Sequence, residues 1–193
     1  VEPFWELVTK YREALFKYKE RFKTKPEGET LLHQVKDHPL VVEKVVSKNE
    51  NEHPPLLYDL TELQRDMNRK FGLSAADTLQ AAQTLYEQKY ITYPRTDSRY
   101  LTGDLKPKVI ETMEALKKLK PKEIEPLNLL ALPFSNRIVN DKKVTDHHAI
   151  IPTGKLPSHL SFPSEAIFDA IVVRLIAVFY PTCVKKVTSV DAV

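Results

Sequence analysis

Residues 90 to 98 read Tyr90-Ile91-Thr92-Tyr93-Pro94-Arg95-Thr96-Asp97-Ser98, a stretch short of core residues and dense in groups able to handle a phosphodiester. Pro94 biases Tyr93 to an extended backbone, and Arg95, two residues on in an extended segment, points to the same side as the tyrosine. A planar guanidinium can hold two non-bridging phosphate oxygens while a phenol oxygen approaches phosphorus in line. A free phenol ionises near pH 10, so roughly one in a thousand is a phenolate at neutral pH, and such an attack needs nearby positive charge or a general base. Thr96, Asp97 and Ser98 are expected to cap a helical turn that follows. The same spacing also fits a turn or core tyrosine with its hydroxyl satisfied locally and an arginine paired with Asp97. The residues alone leave both readings open.

His147 and His148 form a second group with chemical potential. Being adjacent, they face opposite sides of an extended segment and are poorly placed to chelate one metal as an i, i+4 helical pair does. Lys142, Lys143 and Asp146 precede them and Ala149-Ile150-Ile151-Pro152 follows, so they read as the rim of a packed segment, with a solvent-facing histidine as the default. The single cysteine, Cys183, leaves no internal disulfide and no cysteine-based zinc site, which fits a reducing cytoplasm. No Gly-rich phosphate loop is present, so no use of ATP is expected.

Several elements must position these residues. Leu60, Leu63, Met67 and Phe71 form a stripe that predicts a helix over 60–71, with Gly72 where a C′ residue ends it. Ser74 should cap a second helix running to about Gln88, with Asp77 at the capping-box position and Ala75, Leu79, Ala82, Leu85 and Tyr86 along its length. A third helix is expected over 104–120, with Val109, Ile110, Met113, Leu116 and Leu119 inward, and a fourth over 164–180, ended by Pro181. Residues 182–193 read as a strand. Before the helical middle, Leu15, Phe16, Tyr18 and Phe22 allow either a short helix or strands, with strands favoured over about 15–21; a helix is expected over 27–37 and a strand over 40–47. Asn49 to Pro55 then forms a polar bridge and the first domain boundary. The fold class is mainly α within an α+β chain, and no internal repeat is present.

At 193 residues, 42% hydrophobic and 28% charged, the sequence supports one good core or two small ones. No run approaches the roughly 18 apolar residues of a membrane span, and no basic-then-apolar leader opens the chain. The formal charge of +3 permits nucleic-acid binding without diagnosing it. The chain begins at Val1 without a methionine and stops at Val193 within an apolar-polar alternation, so a fragment is expected.

An ordered series of motifs carries a resemblance. Leu56-Leu57-Tyr58-Asp59-Leu60-Thr61-Glu62-Leu63-Gln64, Ser74-Ala75, Thr78-Leu79, Leu85-Tyr86-Glu87, residues 90–98 and Asp146-His147-His148-Ala149-Ile150-Ile151-Pro152-Thr153 together resemble the type IA DNA topoisomerases, most of all the bacterial topoisomerase III branch. The likeness continues into the helix from Phe168 to Pro181. It implies that Tyr93 is the nucleophile that forms a 5′-phosphotyrosyl link to single-stranded DNA. It implies that Arg95 places the scissile phosphate, and that His147 contacts phosphate or an acidic residue. Gln83 and Glu87 match supporting polar positions, although an exposed helix face explains them equally.

The resemblance further implies a helical, CAP-like tyrosine domain over 56–182, flanked by partial β-rich arch segments at 1–55 and 183–193. Family members work against a Toprim domain whose glutamate and Asp-x-Asp cluster bind magnesium. No Asp-x-Asp occurs here, so magnesium and the Toprim domain are expected from outside these residues, and the fragment alone should not turn over. Single-stranded DNA and the remaining topoisomerase domains are the expected partners, with a helicase or single-strand-binding protein as further candidates. The rival of another class is a non-catalytic nucleic-acid-binding or interaction module. Tyrosine recombinases and relaxases need arginine, histidine or His-apolar-His patterns that this chain lacks.

Overall fold

Asp59, a residue whose short carboxylate suits an N-cap, accepts a hydrogen bond from the backbone N–H of Glu62 at 2.6 Å and so starts helix α2 (Leu60–Phe71) of the computed structural model, which describes residues 2–193. Gly72, at φ 69°, ends it in the left-handed conformation that glycine adopts without steric cost. Two residues later Ser74 starts α3 (Ala75–Glu87): its hydroxyl oxygen accepts from Asp77 N–H at 3.0 Å and its O–H donates to the Asp77 carboxylate at 2.6 Å. These two helices follow the sequence expectation closely because caps and periodicity are local.

The chain forms two compact units. One comprises residues up to Asn49 together with Lys186–Val193; the other is Glu50–Lys185. The chain passes from one to the other twice, within strands β3 (Val42–Glu52) and β4 (Cys183–Ala192), which pair as a two-stranded sheet.

The unit Glu50–Lys185 holds the hydrophobic core. Helix α2 buries Leu63 and Met67, α3 buries Ala81, Ala82 and Leu85, and α6 (Ser164–Ala177) buries Ile167, Ile171, Val172 and Leu175, with α3 packed on both others. Helix α4 (Lys106–Leu116) adds Val109, Met113 and Leu116, and a short turn of helix, α5 (Pro121–Ile124), adds Ile124. Three expectations are corrected here. The third helix is a 3₁₀ turn over Gly103–Leu105 followed by α4, which stops at Leu116 because the chain tightens ahead of Pro121; Leu119 is exposed rather than inward. Helix α6 stops three residues early, its last expected turn held by 3₁₀-type bonds such as Tyr180 N–H to Ala177 O at 3.1 Å. Tyr86 does not join the buried stripe of α3 but stands 38% exposed at its end.

A buried ionic cluster ties this unit together. Asp66, 6% exposed, accepts hydrogen bonds from the Tyr58 hydroxyl, Arg69, Lys70 at 3.3 Å and Arg174 at 2.9 Å. Arg174 also donates to Leu56 O at 3.0 Å and lies 3.9 Å from the centre of the Tyr58 ring. Burial, then the bond to Asp66, pushes the Tyr58 hydroxyl above its ordinary range. Burial opposes the charge on Asp66, but the Tyr58 hydroxyl, Lys70 and Arg174 outweigh it and hold the carboxyl below its usual value. One cluster thus clamps α2, α6 and the segment entering α2.

In the other unit, the strands expected over 15–21 begin earlier, as a hairpin of β1 (Val8–Tyr11) and β2 (Ala14–Lys17), in register Val8 to Lys17 and Tyr11 to Ala14, with Trp5 and Phe22 bridging beyond it. The hairpin carries no glycine or asparagine signal at its turn; Arg12 takes the positive φ of 52° instead. Helix α1 (Lys25–Val35) begins two residues before the expected start, since Pro26 suits a first turn and the Glu27 carboxylate reaches back to Thr24 N–H at 3.3 Å. The polar stretch read as a bridge from Asn49 continues β3 as far as Glu52. Pairing with β4 extends the strand along one edge, and its side chains are all exposed, so polarity costs nothing there. The described residues form a mixed α and β chain with two small sheets.

Candidate functional site

The end of α3 aims the tyrosine segment. Tyr90 N–H bonds to Leu85 O at 2.9 Å and Lys89 N–H to Tyr86 O at 2.8 Å, the paired bonds of a Schellman motif, with Lys89 in the left-handed position at φ 64°. This reversal carries the chain back along the helix it has just left. Tyr93 therefore packs against Tyr86, edge to face, with ring centroids 5.4 Å apart.

Residues 90–100 are then sewn to residues 143–153. Thr92 N–H donates to Ile151 O at 2.9 Å, and the Thr92 hydroxyl oxygen accepts from Ile151 N–H at 3.0 Å. The Thr96 hydroxyl donates to His147 O at 2.9 Å, the Ser98 hydroxyl donates to Lys143 O at 3.0 Å, and Ala149 N–H donates to Tyr100 O at 2.9 Å. Residues 94, 96 and 98 are buried while Tyr93 is half-buried and Arg95 and Asp97 are exposed, the alternation of an extended segment with one face inward. Thr96 and Ser98 are thus staples rather than the helix caps expected of them; no helix begins between Ser98 and Gly103, and their hydroxyls are consumed by backbone of the facing segment. Hydroxyl residues at positions 92, 96 and 98, alternating with the exposed Arg95 and Asp97, were the sequence signal for this.

The stitching brings His147 to the tyrosine: the two ring centroids lie 4.4 Å apart, tilted by 49°. His148 turns away, its Nδ1 2.8 Å from Ala149 O. The Tyr93 hydroxyl has no hydrogen-bond partner among the described residues, so its ring is oriented by packing and its oxygen is left available.

Arg95 lines a groove of about 460 Å³ with Gln80, Gln83, Thr84 and Glu87 of α3. It makes no ion pair with Asp97 among the described residues, which removes the simplest structural explanation for it. Gln83 donates to Glu87 at 3.3 Å, while its own side-chain oxygen is buried without a partner. Gln83, Tyr86 and Glu87 share one face of α3 by their i, i+3, i+4 spacing. That face meets Tyr93 at Tyr86 and Arg95 at the groove, so the structure gathers all five expected site residues, Tyr93, Arg95, His147, Gln83 and Glu87, around one helix end. Tyr86 was not among them, although it stands in the Leu85-Tyr86-Glu87 motif.

The sequence model of a family described as DNA topoisomerase matches residues 1–193. The chain belongs to this DNA topoisomerase family. It is 39% identical over 184 residues to DNA topoisomerase 3 of Shouchella clausii, covering 90% of this chain and 24% of that protein. It is 40% identical over 167 residues to DNA topoisomerase 3 of Bacillus subtilis, covering 84% and 23%. The chain thus spans about a quarter of the length of the curated relatives it matches. Its fold is similar to that of full-length topoisomerase I from Thermotoga maritima, with a TM-score of 0.63 and 19% identity over 99% of this chain and 34% of that one. The resemblance read from the motifs is borne out. No helix among the described residues is long and apolar enough to cross a membrane.

Proposed function

We propose that this chain carries the strand-cutting centre of a type IA DNA topoisomerase. The Tyr93 oxygen attacks a phosphorus of single-stranded DNA. An O–P bond to the tyrosine forms as the bond to the 3′ oxygen breaks, leaving a 5′-phosphotyrosyl link, while the phenolic proton is lost and the 3′ oxygen gains one. The reverse reaction reseals the strand, so the phosphodiester's energy is conserved and no ATP is needed. Between the two steps another strand passes, giving relaxation or decatenation. The observation that carries this reading is the Tyr93 ring, packed against His147 at 4.4 Å with its hydroxyl unpartnered.

Arg95, exposed and without an ion pair among the described residues, holds non-bridging phosphate oxygens, and His147 adds a donor to them. Gln83 and Glu87 support Arg95 from the groove wall. Fixed donors of this kind supply most of the stabilisation in phosphoryl transfer. The helical unit serves as a CAP-like tyrosine domain and the other unit as part of an arch that lifts it.

These residues do not fit a magnesium site. They offer a phenol, an imidazole, a guanidinium and the single carboxylate of Glu87, and no three His, Cys, Asp or Glu side chains converge among the described residues. In this reading the magnesium ligands come from a Toprim domain outside these residues. Alone, the chain binds single strands weakly and relaxes nothing.

The test combines the chain with the remaining topoisomerase domains and a labelled single-stranded oligonucleotide, then denatures the mixture. A covalent adduct that disappears in Tyr93→Phe is expected. Binding without any adduct would instead identify a non-catalytic nucleic-acid-binding module, and an adduct that survives Tyr93→Phe would assign the chemistry elsewhere.

A further inference from the structure

A catalytic tyrosine whose hydroxyl is uncommitted must be aimed by its ring. Most half-buried tyrosines are oriented at both ends, by packing along the ring and by a hydrogen bond at the oxygen; among the described residues Tyr93 has only the first. Two rings provide it. One is His147, which the proposed function occupies with phosphate. The other is Tyr86, whose ring meets that of Tyr93 at 5.4 Å and 75°, the edge-to-face geometry favoured by aromatic quadrupoles.

Tyr86 is an unusual place for a purely structural aromatic ring. It is 38% exposed, lies outside the buried cluster, and its hydroxyl makes no hydrogen bond among the described residues. Its position is nevertheless fixed. It sits in the last turn of α3, and its carbonyl oxygen accepts from Lys89 N–H at 2.8 Å in the turn that sends the chain back towards residue 93. The helix that presents Tyr86 also supplies Gln83 and Glu87 to the groove holding Arg95. One rigid element therefore references both the nucleophile and the guanidinium.

We infer that Tyr86 is a positioning residue for Tyr93: its ring holds the nucleophile's ring in the orientation that presents the oxygen for in-line attack. This rests on the reading of Tyr93 as the nucleophile. Tyr86 touches no reacting atom in this role, and its own hydroxyl is dispensable. Loss of its ring widens the orientations open to Tyr93 and slows attack without weakening the hold on DNA.

The experiment compares Tyr86→Ala, Tyr86→Leu and Tyr86→Phe in the polypeptide that carries these residues with the remaining topoisomerase domains. The rate of covalent adduct formation is measured at saturating single-stranded oligonucleotide, alongside the Kd. Tyr86→Ala should lower the rate about fivefold, as expected for one aromatic pair, with Kd within twofold. Tyr86→Phe should restore the rate, and Tyr86→Leu, which fills the space without a quadrupole, should restore it only in part. An unchanged rate in Tyr86→Ala overturns the inference while leaving the role of Tyr93 intact. So does full rescue by leucine, which would reduce Tyr86 to filler, or a loss in Kd that accounts for the loss in rate. Failure of the unaltered protein to form any adduct overturns the reading of Tyr93 and this inference with it.

Discussion

The Thr96 hydroxyl donates to the carbonyl oxygen of His147 at 2.9 Å, so a single side chain joins the segment bearing the proposed nucleophile to the segment bearing its imidazole neighbour. The same hydroxyl oxygen accepts from Ser98 N–H at 3.1 Å. Thr96 is 6% exposed, so no water replaces either bond cheaply.

Thr96→Val keeps the shape and removes the hydroxyl. It should cost about 1–3 kcal/mol of stability, the usual penalty for leaving buried partners unsatisfied, read from urea unfolding at unchanged m. Adduct formation should fall by more than oligonucleotide binding, because the shift moves His147 relative to Tyr93. Equal losses in both would mean that the staple matters for the fold alone.

Asp66→Asn leaves Arg174 partly buried without its carboxylate and should cost about 3 kcal/mol. The sign of the pH dependence follows from the lowered carboxyl. Because the folded value lies below the unfolded one, near 3.9, the stabilisation is fully present above about pH 4 and is lost as pH falls through the folded value. Acid unfolding of the unaltered chain should therefore steepen below about pH 4, and Asp66→Asn should flatten that limb. A parallel downward shift at every pH would place the acid sensitivity in other carboxylates.

Lys89 adopts φ 64°, where a side chain costs roughly 1 kcal/mol relative to glycine. Lys89→Gly should stabilise the chain by at most about 0.5 kcal/mol once glycine's unfolded-state entropy, roughly 0.5–1 kcal/mol, is deducted, and Lys89→Val should destabilise it. Thermal melts of the two variants give the comparison, and stabilisation by valine would contradict the turn geometry.

Single-strand binding should weaken with salt in proportion to the phosphates contacted. Arg95→Ala should make the slope of log association constant against log salt shallower by about 0.7, the value for one phosphate on a single strand. Fluorescence anisotropy at several salt concentrations measures it. An unaltered slope would remove Arg95 from the phosphate backbone.

Much of the helical framework was legible in the residues. Gly72, Ser74 and Asp77 delimit α2 and α3 through interactions spanning a few residues, and these act whatever the rest of the chain does. The motif around Tyr93 and the type of each site residue were equally readable. The elements misread were those governed by distant partners or by unusual backbone. The β1–β2 hairpin turns at Arg12 rather than at a glycine, β3 runs into polar residues because β4 pairs with it, and α4 ends where the approach to Pro121 tightens the chain.

The site itself divides along the same line. Local sequence determines that a tyrosine, a proline and an arginine follow the end of a capped helix, and that an adjacent histidine pair stands far along the chain. Tertiary structure alone decides that His147, and not His148, meets Tyr93, that Thr96 and Ser98 staple rather than cap, and that Tyr86 leaves the core to meet the tyrosine. Those choices depend on hydrogen bonds and ring contacts between segments remote in sequence, whose formation follows from the packing of the helical core and is not encoded in the spacing of neighbouring residues.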